Sequence, residues 1–483
     1  MTERRPGLAR DTGLSTLGIL LSGGAQFVVS LLVGRISGPD ALGLIRGSLS
    51  LATTASLLWP SAAGQSASLF VARSLGAGEP GRAAAYERHL TRTTAAITVV
   101  LAVAVAAVAR LVLDVSVVDS AWVAALVVAF SAYQLARGIR FGRGQIARAT
   151  WWEAAAAAIM VGLLVAVLLV QLPGLYLAPL VTGYGLYAAG VWLRPAREPG
   201  RLGARERAEL GTFVVWGVAG TLASSGLLQL SMVIAAAVEA GRAAGLYAAA
   251  ISLATPMSMV ARALSMALFP EMARQHGRGD ETVTRAITDR VTRGLVLVMV
   301  PAFGSVALLA EPLMVLVFGT EYRDAVPALR VLLLAVLLTT IPVAAVNSIN
   351  VRGPRGVRAS ALMSWGGLVV GMGTIGALVG SRGILGVAVG YLAGSAVTAG
   401  LPYAYVWRRD GHRWCPLTLA LVAAVLSVAA TLAAGARLTE WTWSLGATAV
   451  FLITWGLFAR LFSQRRRSRA SRRDAHGGSV TEL

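Results

Sequence analysis

Arginines lie at three points of this chain where the surrounding sequence is strongly apolar. Arg35 follows the first apolar stretch, Arg46 lies early in the second, and Arg262 lies late in the eighth. An ionised side chain at the centre of a bilayer costs at least about 2.5–3.5 kcal/mol, so such residues are functional candidates. A guanidinium suits phosphate because its planar fork donates two parallel hydrogen bonds. We therefore expect these arginines to bind a phosphate-bearing anion; the alternative for Arg46 and Arg262 is snorkelling to the membrane surface.

Uncharged polar residues and prolines also interrupt the apolar stretches. Amide side chains at six such positions are candidates to line a hydrated cavity that accepts sugar hydroxyls: Gln26, Gln65, Gln134, Gln229, Asn347 and Asn350. Hydrogen bonds that hold neighbouring helices together are an equally good interpretation of each. Three prolines, Pro60, Pro256 and Pro342, free backbone carbonyls and are candidates for hinges. Close packing of kinked helices is the alternative for them.

The residues that enzymes use for catalysis or metal binding are scarce in this chain. Glu153 follows two tryptophans, which predicts a place in an interfacial belt rather than in a proton relay. The 4 histidines are scattered singly, so no metal site is predicted. A phosphate-binding P-loop is excluded because the chain contains no lysine. We predict a protein that is not an enzyme and that needs neither a metal nor a cofactor.

The composition is that of a membrane protein. Apolar residues make up 56% of the 483 residues, charged residues only 14%, and the mean hydropathy is +0.69. A soluble protein carries about 25% charged residues. These values exclude a soluble enzyme and a disordered chain, and the single Cys415 excludes a disulfide scaffold. The formal net charge of +20 does not indicate nucleic-acid binding, because the arginines lie in short loops between apolar segments.

The hydropathy pattern predicts an all-α polytopic protein with about fourteen membrane-spanning helices. They lie near residues 13–34, 44–71, 93–113, 121–138, 151–170, 175–193, 211–235, 243–268, 294–310, 325–346, 359–380, 383–407, 416–435 and 441–462. Arginines concentrate in every second connection, beginning with the N-terminus. Because basic residues favour cytoplasmic loops, we predict a plasma-membrane protein with both termini in the cytoplasm.

An internal repeat divides the predicted helices into two groups of six. Residues Ala41–Ser56 match Ala243–Ser258 at a fixed offset, and half of the aligned residues are identical. Six is an even number, so the two copies have the same orientation and are parallel repeats about an axis along the membrane normal. Transporters built in this way bind substrate between the halves and rock them for alternating access.

The repeat predicts four regions along the chain. Residues 1–208 form an N-terminal half, residues 209–410 a C-terminal half, and residues 411–462 an additional helix pair. The tail 463–483 is basic and poor in apolar residues, so we predict that it is disordered. Its net positive charge favours attraction to anionic membrane lipids.

Two segments resemble motifs of a known group of transporters. Val33–Gly43 resembles the "R-x-L-G-P-x-x-x-G" stretch of polysaccharide exporters, although Ser37 replaces the usual leucine. Phe318–Leu329 resembles their "F-G-x-x-Y-x-x-A-x-x-x-L" stretch. Together with the fourteen predicted helices and the repeat, these segments make the whole chain similar to Wzx-type flippases of the MOP (multidrug/oligosaccharidyl-lipid/polysaccharide) superfamily, which are related to lipid II flippases.

The resemblance implies that a polyprenyl-pyrophosphate-linked oligosaccharide is carried from the inner to the outer leaflet for cell-envelope polysaccharide biosynthesis. It implies partners as well, namely a polysaccharide polymerase or other cell-envelope assembly proteins. In related lipid II flippases, arginines on the first, second and eighth helices lie near the pyrophosphate. Arg35, Arg46 and Arg262 lie on comparable helices here.

Two other functions stay open at this stage. A cation-coupled multidrug exporter of the same superfamily is favoured if a carboxylate lies deep in the cavity. A membrane scaffold of a cell-wall assembly complex, which uses the arginine-rich tail and loops, is the second alternative.

Overall fold

The computed structural model describes residues 6–112, 115–192, 199–238, 241–277, 280–434 and 441–477. Within these ranges the chain is helical and contains no β-strand, which confirms the all-α prediction. The helices are α1 (Pro6–Leu57), α2 (Pro60–Gly76), α3 (Pro80–Val112), α4 (Val117–Gly142), α5 (Ile146–Val170), α6 (Ala178–Trp192), α7 (Ala204–Val238), α8 (Arg242–Gly277), α9 (Glu281–Leu308), α10 (Ala310–Val317), α11 (Val326–Thr340), α12 (Val343–Asn350), α13 (Pro354–Asp410), α14 (Cys415–Ala434) and α15 (Trp441–Gly477). Short 3-10 turns lie at Pro173–Leu175 and Thr320–Ala325.

The two longest helices, α1 and α13, are each broken by a glycine with positive φ. Gly38 has φ +80° in α1, and Gly383 has φ +52° in α13. Glycine adopts this conformation without a Cβ clash, and Pro39 after Gly38 is well placed to start a new helix. Each helix therefore consists of two arms, and the four arms contain the first predicted span, the first part of the second, and the eleventh and twelfth predicted spans.

Twelve of the fourteen predicted spans lie chiefly on one helix or helix arm, whereas the span 44–71 runs from α1 into α2 and the span 325–346 runs from α11 into α12. In the described chain, nine helices are long and apolar enough to cross a membrane, with α1 and α13 each counted once. The number becomes ten if Thr320–Thr340 and Val343–Asn350, which meet at a 40° bend, form one span. The apolar helices make the chain a multi-pass membrane protein.

The contact between the predicted halves is made chiefly by α1, which packs on α8 and α7. The second arm of α1 approaches the start of α8 so closely that side chains do not fit. A Cβ on Gly43 would lie 2.9 Å from the nitrogen of Gly245, and one on Gly245 would overlap the carbonyl oxygen of Pro39. We call the end of the molecule that contains Gly38, Gly241 and the 3-10 turn at Thr320–Ala325 the Gly38 end.

The three prolines that are candidates for hinges lie at different places relative to their helices. Pro60 is the first residue of α2, Pro342 lies at the 40° bend before α12, and Pro256 lies inside α8.

The tail differs from the expected disorder, because α15 continues as a helix to Gly477. Arginine and alanine, which are frequent in this segment, are good helix formers, and the helix that precedes them supplies the nucleus. Residues 478–483 lie outside the described chain.

Candidate binding site between the two halves

Arg46 lies at the contact between α1 and α8 and is held by neutral groups from both halves. Its Nε donates to Ser30 Oγ over 2.7 Å, and its Nη2 donates to Ser252 Oγ over 3.0 Å and to the carbonyl oxygen of Gln26 over 3.2 Å. Ser30 and Ser252 are almost fully buried. No carboxylate of the described residues lies within ion-pair distance of Arg46. Its charge is thus hydrogen-bonded but not neutralised, which suits an anionic ligand.

Two of the predicted cavity residues extend this polar contact. Gln26 donates from Nε2 to the hydroxyl of Tyr184 on α6 over 2.9 Å. Gln229 on α7 accepts from the hydroxyl of Ser50 through Oε1 over 3.1 Å, and this bond also joins the two halves. The amides of Gln26 and Gln229 lie half-buried at the interface between halves, with protein groups as partners.

Arg35 lies apart from Arg46, at the Gly38 end. It is exposed, and its Nη1 donates to the carbonyl oxygen of Val315 over 3.3 Å. Arg35 precedes the break at Gly38 by three residues and Arg46 follows it by eight, so their Cα atoms differ in depth by roughly 8 Å at a rise of 1.5 Å per residue. The described contacts of the two arginines share no partner. Arg262 lies on α8, but its side chain lies outside the described residues.

The other predicted amides do not join this contact. Gln65 lies on an exposed face of α2. Asn347 on α12 is buried and accepts from Ser265 Oγ over 3.1 Å, which places both residues in the C-terminal half. Gln134 donates to Ser61 Oγ over 3.1 Å, within the N-terminal half. Asn347 and Gln134 thus make the helix-packing contacts that were the alternative interpretation, and Gln65 faces outward.

Glu153 corrects the sequence prediction, because it is buried inside the N-terminal half and not placed in an interfacial belt. Only 6% of it is exposed, whereas 78% of Trp151 is exposed. Two residues along a helix correspond to a rotation of about 200°, so the tryptophan faces outward and the carboxylate inward. The carboxylate accepts from the hydroxyl of Tyr133 over 2.7 Å, and Arg137 Nη1 lies 3.5 Å from the same hydroxyl.

A buried polar network therefore fills the centre of the N-terminal half next to the α1 contact. Tyr133, which donates to Glu153, packs on Tyr184, which accepts from Gln26; the centroids of the two rings are 5.1 Å apart. The sequence analysis missed both tyrosines, Arg137, Ser30 and Ser252. The signal for Ser252 was available, because it is the repeat equivalent of Ser50. Tyrosines on helices carried no such signal, since their rings are as common in apolar cores.

A hydrogen bond between the halves closes the Gly38 end. Tyr322 donates its hydroxyl to the carbonyl oxygen of Gly34 over 3.0 Å, whereas the bond from Arg242 Nη2 to the carbonyl oxygen of Glu321, over 3.1 Å, lies within the C-terminal half. The first of these bonds joins the two sequence motifs, Val33–Gly43 and Phe318–Leu329. Residues 288 positions apart are thus joined in one structural unit, which explains why the two motifs occur together.

Comparisons with known proteins agree with this architecture. Residues 89–327 match the family model described as polysaccharide biosynthesis protein. An inward-facing multidrug resistance MATE family transporter of the MOP superfamily superposes with a TM-score of 0.66 and 15% identity, over 82% of this chain and 94% of that chain. The fold is that of a MOP-superfamily transporter. No curated protein matches the sequence.

Two further transporter structures share this fold. The lipid II flippase MurJ, in an inward closed conformation, superposes with a TM-score of 0.71 and 10% identity, over 94% of this chain and 99% of that chain. A MOP superfamily transporter from Pyrococcus furiosus, described as having a binding pocket of reverse polarity, gives a TM-score of 0.56 and 16% identity over 83% and 94% of the chains. These structures and the family match agree with the resemblance drawn from the sequence, which is confirmed at the level of the fold.

Proposed function

We propose that this transporter moves a polyprenyl-pyrophosphate-linked oligosaccharide from the inner to the outer leaflet of the plasma membrane by alternating access. The match to a polysaccharide biosynthesis family supports the glycan as cargo. The observation that carries the proposal is Arg46, a guanidinium at the contact between the halves with only neutral hydrogen-bond partners.

The chemistry of Arg46 favours a phosphate-bearing substrate over a cationic one. A charge held between apolar helices without a counter-ion is strongly repelled by a cation and attracted by an anion, because the local dielectric constant is low. Phosphate oxygens can replace the hydroxyls of Ser30 and Ser252 as hydrogen-bond acceptors of Arg46, because a hydroxyl is a weaker acceptor than an ionised group. Arg35 and Arg262 complete the proposed pyrophosphate path, and Gln26, Gln65, Gln229 and Asn347 are the proposed contacts of the glycan.

The closed Gly38 end assigns a direction to the proposed cycle. With both termini in the cytoplasm, the Gly38 end faces outward, and substrate enters from the cytoplasmic side. Opening requires loss of the Tyr322–Gly34 hydrogen bond and of the Gly43–Gly245 contact. Pro60, Pro256 and Pro342 are the proposed hinges.

Neither a nucleotide nor a metal is needed in this mechanism. A membrane potential that is negative inside favours outward movement of each negative charge by about 2.3 kcal/mol per 100 mV if the charge crosses the full field. Among the described residues, no group of histidines, cysteines and carboxylates is arranged to hold a metal ion.

The partners we propose are a polysaccharide polymerase or other envelope assembly proteins, and anionic lipids around the transporter.

The direct test is flipping in proteoliposomes with a fluorescent polyprenyl-pyrophosphate oligosaccharide. Arg46→Gln is expected to lower the initial rate about tenfold or more, since a hydrogen bond to a charged group is worth about 1.5–3 kcal/mol. Arg290→Gln, at an exposed arginine of α9, is the matched control and is expected to keep the wild-type rate. An unchanged rate for Arg46→Gln overturns the assignment of this residue, and an unchanged rate after collapse of the potential overturns the coupling.

A measurement in cells tests the cargo itself. Depletion of the protein is expected to cause accumulation of polyprenyl-pyrophosphate oligosaccharide that is accessible only from the cytoplasmic side, and the mass of the glycan identifies the pathway. Absence of this lipid, together with increased sensitivity to cationic drugs, contradicts the flippase proposal.

The burial of Glu153 favours one alternative, a cation-coupled multidrug exporter. A carboxylate inside the N-terminal half, in contact with Tyr133, is the kind of group that exchanges a proton during transport. If this is the function, Glu153→Gln abolishes drug resistance and the pH dependence of efflux, whereas lipid-linked oligosaccharide levels stay unchanged. The flippase proposal gives Glu153 no role in transport, so it predicts that this variant keeps the wild-type drug resistance and the wild-type pH dependence of efflux.

A further inference from the structure

An apolar cavity of about 220 Å³ lies among α9, α11, α14 and α15. Among the described residues that line it, Arg330 of α11 is the only one with a polar side chain. Ala429 of α14 lines the cavity and is also exposed, so the cavity is open to the surrounding lipid. An apolar cavity of roughly 150 Å³ already holds a small hydrocarbon and stays dry. In a bilayer, the molecules that can fill such a space are lipid chains.

The cavity is the space that α14 and α15 leave between them. Both helices pack on α9, and in the described ranges they make no extensive contact with each other. A Cβ on Gly304 of α9 would overlap the ring of Phe451, and Trp455 Nε1 donates to the carbonyl oxygen of Leu297 over 3.0 Å. These contacts hold α15 against α9, so α15 does not move across to fill the gap beside α14.

Arg330 lies at the end of the cavity that is nearest to the membrane surface. It follows the start of α11 at Val326 by four residues, and α11 begins directly after the 3-10 turn of the Gly38 end. The lining residues of α11 continue to Leu337, about 10 Å further along the helix axis. Long side chains on a helix point back towards its N-terminus, which directs the guanidinium to the Gly38 end. A charged group near the surface with an apolar space beneath it matches a lipid headgroup with its chain.

The guanidinium of Arg330 keeps donors available for an anion. Its Nε donates to the carbonyl oxygen of Ala307 over 3.3 Å, and its Nη1 and Nη2 have no hydrogen-bond partner in the described chain. Glu311 is the described carboxylate that acts electrostatically on Arg330. The same carboxylate lies 3.0 Å from Nε of Arg323, so two arginines share one acid. A guanidinium with two free nitrogens binds phosphate oxygens well.

We propose that this cavity binds an acyl chain of an anionic phospholipid whose phosphate group accepts hydrogen bonds from Arg330. The chain fills the space between α14 and α15, and the lipid thereby joins the additional helix pair to α9 and α11 of the C-terminal half. A zwitterionic headgroup brings an ammonium that Arg330 repels, so the site prefers a lipid with net negative charge.

Native mass spectrometry of the purified full-length protein tests the contact with the headgroup. The probes are phosphatidylglycerol and phosphatidylcholine with identical acyl chains. The wild type is expected to bind phosphatidylglycerol more tightly, and Arg330→Gln is expected to lower that affinity about fivefold, as for one arginine near a membrane surface. Arg382→Gln is the matched control, because Arg382 is exposed beside the break of α13 and lies outside the cavity. The control is expected to keep the wild-type affinity.

A second pair of variants tests the place of the chain. Ala429→Trp puts a large side chain into the cavity and is expected to abolish the preference for phosphatidylglycerol over phosphatidylcholine. Ala430→Trp is its control, because Ala430 is the next residue of α14, is exposed and does not line the cavity. This control is expected to keep the preference.

Three outcomes overturn the proposal. The first is equal binding of the two lipids by the wild type, which does not depend on whether a variant folds. The second is an unchanged phosphatidylglycerol affinity in Arg330→Gln or in Ala429→Trp when the variant stays monodisperse. The third is complete displacement of the lipid at equal concentration, either by glycerol 1-phosphate, which assigns Arg330 to a soluble phosphate, or by polyprenyl phosphate, which assigns the cavity to the cargo. None of these readouts requires transport, so they are independent of the proposed flippase function.

Discussion

Gly43 and Gly245 occupy equivalent positions of the internal repeat and meet at the closest approach of the two halves. A Cβ on Gly43 would lie 2.9 Å from the nitrogen of Gly245 and 3.1 Å from the Cβ of Ala244. Equivalent residues of parallel repeats meet only at the axis that relates the repeats. The axis predicted from the repeat would therefore pass between the second arm of α1 and the start of α8, about one helical turn from Arg46.

Replacement of Gly245 by valine is expected to force α1 and α8 apart at the Gly38 end. The new side chain overlaps the backbone of Pro39, and backbone atoms cannot move away as a flexible side chain can. Overpacking of this kind costs about 1–3 kcal/mol or more. The thermal unfolding midpoint in detergent measures the effect. Gly376→Val is the control, because a Cβ on Gly376 meets no atom within 4 Å; equal midpoints for both variants would contradict the close approach.

A disulfide between Gly47→Cys and Ala236→Cys is expected to lock the Gly38 end and stop transport. A Cβ on Gly47 would lie 3.2 Å from the Cβ of Ala236, and disulfides form at Cβ separations of about 3.5–4.5 Å, so a shift of a few tenths of an ångström suffices. Cys415 is exposed and is first replaced by serine.

The readout for this lock is proteoliposome flipping before and after reduction. Transport should return when dithiothreitol is added, and each single-cysteine variant should transport under both conditions. Wild-type flipping by protein shown to be fully cross-linked would rule out alternating access through this end.

Tyr133 and Glu153 are expected to stabilise the N-terminal half as a coupled pair. Tyr133→Phe removes the donor to a buried carboxylate, and loss of a hydrogen bond to a charged group costs about 1.5–3 kcal/mol. Glu153→Gln removes the charge and has a smaller effect. Because the two residues are in direct contact, the double variant is expected to lose less stability than the sum of the single variants.

Unfolding in detergent measures this double-mutant cycle. Tyr405→Phe, at a tyrosine that is 42% exposed, is the control for removal of a hydroxyl. Strict additivity of Tyr133→Phe and Glu153→Gln would show that the two side chains do not interact in the folded protein.

His412 is expected to make the protein less stable as the pH falls below neutrality. Its ring stacks on Trp414 with centroids 4.5 Å apart, and it lies 3.8 Å from Asp410 and 3.9 Å from Asp289. Burial lowers the pKa of His412 below its usual 6.5, against the opposite influence of the two carboxylates. The unfolded chain therefore takes up a proton first, and stability is lost as the pH falls from about 6.5 towards the lower folded pKa.

The difference between the unfolding midpoints at pH 7.5 and pH 5.5 measures this linkage. His412→Gln is expected to reduce the difference, because glutamine does not titrate. A difference that is unchanged or larger in the variant would assign the acid sensitivity to other groups.

The sequence by itself determined that this is a membrane protein, that it is helical, and that it resembles MOP-superfamily transporters. Whether a stretch of about 20 residues prefers a bilayer depends on its own composition, so the fourteen apolar stretches were found without knowledge of their neighbours. The repeat and the motifs at Val33–Gly43 and Phe318–Leu329 are also local in sequence. The break at Gly38 was marked by the Gly-Pro pair within the first motif.

Tertiary structure alone decided which polar side chains meet. Hydropathy places a residue at a depth in the membrane, but it does not contain the rotation of each helix or the identity of its neighbours. For this reason Glu153 was assigned to the membrane surface and lies buried against Tyr133. Arg35 and Arg46 were expected to act together, yet the break at Gly38 places one at the exposed end and directs the other to Ser252 of the opposite half. That last contact joins residues 206 positions apart, because α1 and α8 pack against each other in the folded chain.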